Sequence, residues 1–420
     1  MKILWITNTI FPAPSLAIGL KPPVVGGWMY GLAEQVAGQC NQEFAVASCY
    51  SGKEVRKDVI EGITYYTIPF RYHNSYPKEL EHYWKFICED FIPDVVHIHG
   101  TEYAWGLACM KIHPYSKYVV SIQGMIGPCS RYVTGGISLL EQWKNITFRD
   151  ILRGDTMLFA QKRWEKMGEL EKEYYQRADI IIGRTSWDYA RSKVINKTCN
   201  YQFCNESLRN EFYLAEKWKI ELCTNYSIFV SQAGVPLKGL HKVLEAIQLL
   251  KDEFPCITIR IGGSNIISNI SIKERIRMGG YGKYIKSLLR KYNLYDNVRF
   301  LGPLEAKEMI REYQSANVFL CPSSIENSPN SVGEAQIIGT PVVASYVGGT
   351  PDMIIHKESG LLYRFEEVEM LANFIREVFT NHELTAHLSQ NAILTAKKRH
   401  DMLTNLNRLI EIYNSLACAK

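Results

Sequence analysis

The sequence contains no run of about 18 apolar residues, although 46% of its 420 residues are hydrophobic. A membrane-spanning helix is therefore excluded. The first residues, Met1 to Thr9, alternate straight into a strand pattern with one lysine and no small-residue cleavage site, so no signal peptide is expected. The eleven cysteines are odd in number and scattered singly, with no C-x-x-C, which points to reduced thiols in a cytoplasm rather than a disulfide framework. Charge of one sign is also scarce: 48 Lys plus Arg against 43 Asp plus Glu leave +5. That excess is too weak for a nucleic-acid partner, and aromatics do not interleave with the basic residues. The basic stretch Lys273 to Lys291 reads as a solvated helix face or as a loose contact to anionic lipid, which makes peripheral membrane contact an expectation.

At about 100–200 residues per domain, the length implies two to four domains able to bury their own cores. Short apolar, β-branched runs recur with helix-patterned segments between them, the pattern of parallel α/β sheets. In the first half these runs are Lys2–Thr7, Phe44–Cys49, Val95–His99, Tyr118–Ile122 and Asp179–Ile182. In the second they are Ser227–Ser231, Thr258–Gly262, Asn297–Leu301, Val318–Cys321 and Pro341–Ala344. A polar, irregular stretch from about Tyr201 to Asn225 separates the two series. The expected division is 1–212, 213–395 and a C-terminal helix, 396–420, that packs back on the first domain.

Open α/β sheets bind ligands beyond the carboxyl ends of their strands, at helix N-termini whose free N–H groups favour anions. Several residues sit at such ends. Gly26 and Gly27 open a helix and let backbone N–H groups approach a phosphate, but they do not form G-x-G-x-x-G and no acidic residue ends a second strand, so a nicotinamide dinucleotide site is not expected. His97 and His99 share one face of a strand near Glu102. A third ligand at metal spacing is missing, and the choice between a packed imidazole pair and substrate contact by His99 stays open. Arg184, followed by a Thr185 helix cap, can meet an oxyanion or pair with Asp188. Lys238 lies in the turn Pro236-Leu-Lys238-Gly239 before an amphipathic helix, where it can neutralise a diphosphate. Glu326 lies in the loop after Val318–Cys321, and Glu334 lies on the first turns of the next helix, where a carboxylate compensates the dipole or accepts bonds from a vicinal diol. A second Gly-Gly turn, Gly348-Gly349, follows the next strand.

The colinear set Gly26-Gly27, Pro236-Leu-Lys238-Gly239, Cys321-Pro-Ser-Ser-Ile-Glu326-x7-Glu334-Ala335, Gly339-Thr-Pro-Val-Val and Gly348-Gly349 resembles the family-4 retaining glycosyltransferases of the GT-B fold, with a branch met in bacterial surface-polysaccharide synthesis. The resemblance covers nearly the whole chain. It implies an α/β architecture of two Rossmann-like domains whose parallel sheets face across a cleft. It also implies retaining transfer from a nucleotide-sugar to a glycan or lipid-linked acceptor. Glu334 would hold the ribose, Glu326 the transferred sugar and Lys238 the leaving diphosphate. Gly26, Gly27, Asn327, Ser328 and Ser331 would line the donor. His99 and Arg131 would touch sugar or acceptor. No metal or other cofactor is implied, and the sequence has no D-x-D.

Two positions depart from the family pattern. The arginine usual five residues before the lysine is Ala233, so the second positive charge on the diphosphate comes from elsewhere, with Arg184 and Arg131 as candidates, or is weaker. The first-domain strand end that often carries a catalytic histidine reads Ile122-Gln123-Gly124, which puts Gln123 in that place. A nucleotide-sugar epimerase and a catalytically weakened nucleotide-sugar-binding subunit are the competing readings.

Overall fold

The computed structural model describes residues 1–23, 27–39, 42–73, 75–267 and 276–417. They form two compact units. Unit 1 comprises Met1–Pro128, Trp164–Arg209 and His400–Lys420, and unit 2 comprises Cys129–Arg163 and Asn210–Arg399.

Unit 1 is built on an eight-stranded sheet. Its strands are β1 (Lys2–Thr7), β2 (Glu43–Tyr50), β3 (Arg56–Ile60), β4 (Ile63–Pro69), β5 (Val95–His99), β6 (Lys117–Ser121), β7 (Ile180–Gly183) and β8 (Tyr201–Phe203), ordered β3-β4-β2-β1-β5-β6-β7-β8. All neighbours are parallel except β3 and β4, a hairpin closed by Glu61 and Gly62 at φ 51° and 80°. Both turn residues have positive φ, as a tight two-residue hairpin requires. The apolar-run pattern passes over this hairpin because β3, Arg-Lys-Asp-Val-Ile, is mostly exposed. In the central strands, alternate residues serve opposite faces. Leu4, Ile6, Val96, Ile98 and Val120 meet Trp84 and Leu107 in one core, while Ile3, Trp5, Val95, Val119 and Ile180 meet helix Gly27–Ala37 and helix Met402–Ala417 in the other.

Unit 2 carries a six-stranded parallel sheet of β9 (Ser227–Val230), β10 (Thr258–Gly262), β11 (Val298–Gly302), β12 (Val318–Cys321), β13 (Val342–Ser345) and β14 (Leu361–Tyr363), ordered β11-β10-β9-β12-β13-β14. β9, β12 and β13 are buried throughout, as continuous apolar strands with helices on both faces should be. One face packs Ile228, Val230, Leu320 and Val343 against helices Leu240–Leu250 and Val368–Thr380. The other stacks Phe229, Phe319 and Tyr313 edge to face.

The division by contacts differs from 1–212, 213–395 and 396–420 at each boundary. Residues 129–163 belong with unit 2, because Ile137 enters its core, His241 Nε2 donates to the Gly135 carbonyl at 2.8 Å and the Gly280 amide donates to Asp150 at 2.8 Å. From His400 onward the chain belongs with unit 1. There Trp5 Nε1 donates to the Tyr413 hydroxyl at 2.9 Å, that hydroxyl lies 2.5 Å from His97 Nδ1, and His97 Nε2 lies 2.7 Å from Ser121 Oγ. The Tyr413 hydroxyl thus bridges the indole N–H and one imidazole nitrogen, and both nitrogens of His97 are hydrogen-bonded. Among the described residues no helix is long and apolar enough to cross a membrane.

Tyr413→Phe deletes a hydroxyl shared by two buried groups and leaves the Trp5 N–H and His97 Nδ1 without partners. The expected loss is about 3 kcal/mol, measured from the urea unfolding transition of unit 1; an unchanged midpoint would refute the anchoring role.

Candidate functional site

The densest set of predicted residues lies in unit 2, beyond the carboxyl ends of β9, β12 and β13. Proline at 236 starts a single 3-10 turn, Pro236–Lys238, and Gly239 ends it at φ 72°. A Cβ at Gly239 would lie 1.8 Å from the Pro322 carbonyl oxygen, so the turn presses directly on the loop after β12. The Ser324 amide donates to the Leu237 carbonyl at 2.8 Å and joins the two segments. Lys238 is thereby aimed at Glu326, its Nζ 2.5 Å from Glu326 Oε1, and Ser323 Oγ donates to the same oxygen at 2.7 Å. The Gly349 amide binds the Glu326 carbonyl at 3.0 Å and brings in the second Gly-Gly turn. Burial opposes the charge on Lys238. The adjacent Glu326 carboxylate outweighs it and holds the ammonium above the usual lysine value.

Helix Asn330–Ile338 begins at this loop. Its cap residue, Pro329, makes no side-chain hydrogen bond, the Val332 amide turns back to the Pro329 carbonyl at 2.9 Å, and no acidic residue of the first turn offsets the positive end of the dipole. Glu334 is buried on the next turn, with the Tyr313 hydroxyl 3.3 Å from its Oε2 and 3.1 Å from the Ser331 carbonyl. Asn327 is buried and Ser331 half-buried beside it. Ser328 Oγ accepts from Arg399 at 3.3 Å. The structure thus collects Lys238, Glu326, Asn327, Ser328, Ser331 and Glu334 on two adjoining turns and one helix start. Arg131 is exposed on the one-turn helix Ser130–Tyr132, whose Tyr132 carbonyl accepts the Ser324 hydroxyl at 2.8 Å.

The remaining predicted residues belong to unit 1. Gly26 lies outside the described residues, and Gly27 opens helix Gly27–Ala37, with Arg209 Cδ 3.0 Å from where a Cβ would stand. Arg184 is buried, not displayed at a strand mouth: its guanidinium pairs with Glu206 and donates to the Ile122 carbonyl, while Asp188 binds its amide at 2.9 Å. An arginine so enclosed is held where it is, because breaking a buried pair strands the other charge. His99 is buried against Trp5, with ring centroids 4.2 Å apart, and neither ring nitrogen has a hydrogen-bond partner among the described residues. Burial, aided by Arg184, pushes its pKa down to about 3, so it is neutral. It lines a small cavity of about 20 Å³ with Trp28, Arg184, Cys204 and Glu206, room for one water.

Gln123 half-emerges after β6 on a loop gripped by two carboxylates, half-buried Glu102, which the sequence places beside the histidines, and buried Glu171, which the motifs did not single out. Glu102 accepts from the Gly124 amide at 2.6 Å, and Glu171 accepts from the Ile126 and Gly127 amides, both at 2.9 Å. Desolvation lifts Glu171 to about 7 against those hydrogen bonds. Ser323 and Tyr313, which orient Glu326 and Glu334, were missed as well. Ser323 adjoins the motif and was open to inference, whereas Tyr313 reaches Glu334 only through the fold.

Residues 214–395 match the family model described as glycosyl transferases group 1. D-inositol 3-phosphate glycosyltransferase of Corynebacterium urealyticum is 28% identical over 180 residues, 43% of this chain and 41% of that protein. The putative glycosyltransferase YtcC of Bacillus subtilis is 20% identical over 100% of this chain and 93% of its own length. Among solved structures, sucrose-phosphate synthase from Thermosynechococcus elongatus aligns with a TM-score of 0.76 at 16% identity, covering 100% of both chains. Anabaena Alr3699/HepE in complex with UDP-glucose aligns with a TM-score of 0.67 at 15% identity, covering 99% of this chain and 100% of that one. These likenesses establish the GT-B fold.

Gly239→Ala sets a side chain against backbone at positive φ, and a cost of at least about 2 kcal/mol is expected in the unfolding of unit 2; a neutral result would show the turn is not locked. The buried ionisable groups of unit 1 pull its acid stability in opposite directions. His97 and His99 are held neutral by burial, below the ordinary 6.5, so their contribution is present above that pH and is lost as pH falls. Glu171, raised from 4.5 to about 7, acts the other way, contributing stability at low pH that is lost as pH rises through about 7. Glu102, also raised by burial, acts in the same sense as Glu171, so the two carboxyls oppose the two imidazoles. Glu171→Gln removes one opposing carboxyl and should steepen the fall of the urea midpoint between pH 6 and 5, and an unchanged pH profile would refute its raised pKa.

Proposed function

We propose, starting from a chain that is a glycosyltransferase of the GT-B fold with residues 214–395 as its group 1 glycosyl transferase domain, that it transfers a sugar from a nucleoside-diphosphate donor, with retention, to a glycan or lipid-linked acceptor in surface-polysaccharide synthesis. The observation that carries this reading is the convergence of Lys238, Glu326, Glu334 and an uncapped helix N-terminus on one face of unit 2. The complexes of Alr3699/HepE with UDP and UDP-glucose support a nucleotide-sugar as the ligand of such a scaffold.

Breaking the bond between the anomeric carbon and the phosphate oxygen sends the electron pair to the diphosphate and leaves an oxocarbenium-like sugar. Stabilising that charge is the main task. Lys238 supplies a full positive charge and the N-terminal amides of helix Asn330–Ile338 supply partial ones, with Asn327, Ser328 and Ser331 as hydrogen-bonding groups. Glu326, already oriented by Ser323 and Lys238, faces the transferred sugar, and Glu334, steadied by Tyr313, accepts from the ribose hydroxyls. The acceptor hydroxyl attacks from the face the diphosphate leaves and gives its proton to the departing phosphate oxygen, so no other base is required. Within unit 1, Gln123 and Gly27 are neutral hydrogen-bonding groups at a strand end and a helix start. Arg131, exposed, precedes Tyr132, whose carbonyl holds Ser324 of the loop that carries Glu326. The expected setting is the cytoplasmic face of a membrane.

Purified protein is expected to release nucleoside diphosphate from at least one member of a nucleotide-sugar panel. Lys238→Ala and Glu334→Ala should each lower that rate by about 100-fold or more, in line with the loss of one charge-stabilising group. Full activity in both variants would sink the site assignment, and an isomerised sugar formed without acceptor would select an epimerase instead.

A further inference from the structure

The helices Leu139–Lys144 and Phe148–Arg153 of unit 2 are built inside out. Their buried residues are polar and satisfied. Gln142 Nε2 donates to the Ile137 carbonyl at 2.7 Å, Asn145 Nδ2 donates to the Glu141 carbonyl at 2.8 Å, and Asp150 accepts from the Gly280 amide. Their outer residues are large and apolar. Leu139, Leu140, Trp143, Phe148, Ile151 and Leu152, with Phe159 on the next helix, are each between 60% and 71% exposed. A helix facing water alone shows the opposite pattern, and apolar patches of this density mark a surface meant to be covered.

The charges around the patch name the cover. Every acidic residue from 139 to 163 is already paired: Glu141 with Lys144, Asp150 with Arg149, and Asp155 with Arg149 and Arg163. Arg153 and Lys162 are exposed and make no ion pair among the described residues. Lys283 Nζ reaches the Lys144 carbonyl at 2.8 Å, which sets helix Gly280–Tyr292, with its exposed Arg290 and Lys291, alongside. The described part of the basic stretch noted in the sequence therefore adjoins the apolar helices. A second copy on this surface would set cation against cation, whereas an anionic bilayer offers both an apolar interior and opposite charge.

We propose that helices Leu139–Lys144 and Phe148–Arg153 form a membrane-docking surface that inserts Trp143, Phe148 and Leu152 among the headgroups of anionic lipid, with Arg153, Lys162 and the Gly280–Tyr292 helix contacting the phosphates. The proposal deepens the reading of a lipid-linked acceptor, and its test uses neither donor nor acceptor, so each can fail alone. The full chain is floated with phosphatidylglycerol-rich vesicles and with pure phosphatidylcholine vesicles. Binding to the former is expected, weakening with salt. The triple variant Trp143→Ser, Phe148→Ser, Leu152→Ser should lose at least about tenfold in partitioning, since each side chain removes transferable apolar area, and should keep its urea midpoint because those side chains are already exposed. Arg153→Gln with Lys162→Gln should reduce both binding and its salt dependence. Absence of vesicle binding by the wild type at low salt overturns the proposal, as does binding that the triple variant leaves unchanged. Patch-dependent dimers in sedimentation without vesicle binding would assign the surface to a second copy and overturn it too.

Discussion

The contact on which the site in unit 2 depends is the pair of Lys238 and Glu326. Neither charge is fully in water, with side-chain exposures of 25% and 14%, so each needs the other. Holding them at 2.5 Å requires two turns from distant parts of the chain to meet at backbone contact, which explains a glycine at 239 and the amide bond from Ser324 to Leu237. The same approach fixes where helix Asn330–Ile338 starts, and with it the position of Glu334. A lysine placed this way stays charged across the physiological range and has one carboxylate to exchange for a stronger anion.

Unit 1 handles its strand ends with a different device. Carboxylates hold backbone amides there: Glu102 and Glu171 hold the loop that carries Gln123, and Asp188 holds the start of the helix after β7. These groups resemble ligand-binding acids when read along the chain, yet their acceptor sites are filled by the protein itself. The arginine that looked available to an oxyanion is similarly engaged by Glu206. One unit therefore presents charge outward from its strand ends and the other folds charge inward to shape loops.

This contrast explains what could be read from the sequence. Continuous apolar runs such as Ile180–Ile182 and Val318–Cys321 can only be buried parallel strands, so the α/β class and most strands were legible. The cluster from Lys238 to Glu334 was legible because each of its two turns is bracketed by glycine and proline punctuation and follows an apolar strand. Arg184 was misjudged because its partner lies 22 residues on, beyond an edge strand, and nothing local distinguishes an arginine facing a ligand from one facing Glu206. The membership of residues 129–163 escaped because its contacts, at Gly135, Ile137 and Asp150, are made with residues 90 or more positions away and nothing local marks them. Edge strand β3 escaped because its residues are mostly exposed and need no apolar run, and β4 was passed over although it is buried.

The polar chain from Trp5 through Tyr413 to His97 and Ser121 joins the first strand of unit 1 to a helix more than 400 residues later. During synthesis, all of unit 2 emerges before that helix does. Until then Trp5 and His97 face an unfinished core, so the unit made first is the one completed last. Unit 2, contiguous apart from residues 129–163, can settle earlier, and a ribosome stalled late would leave a nearly finished unit 2 attached to an open unit 1. A nascent chain of this design is most exposed to chaperones and proteases at its oldest end.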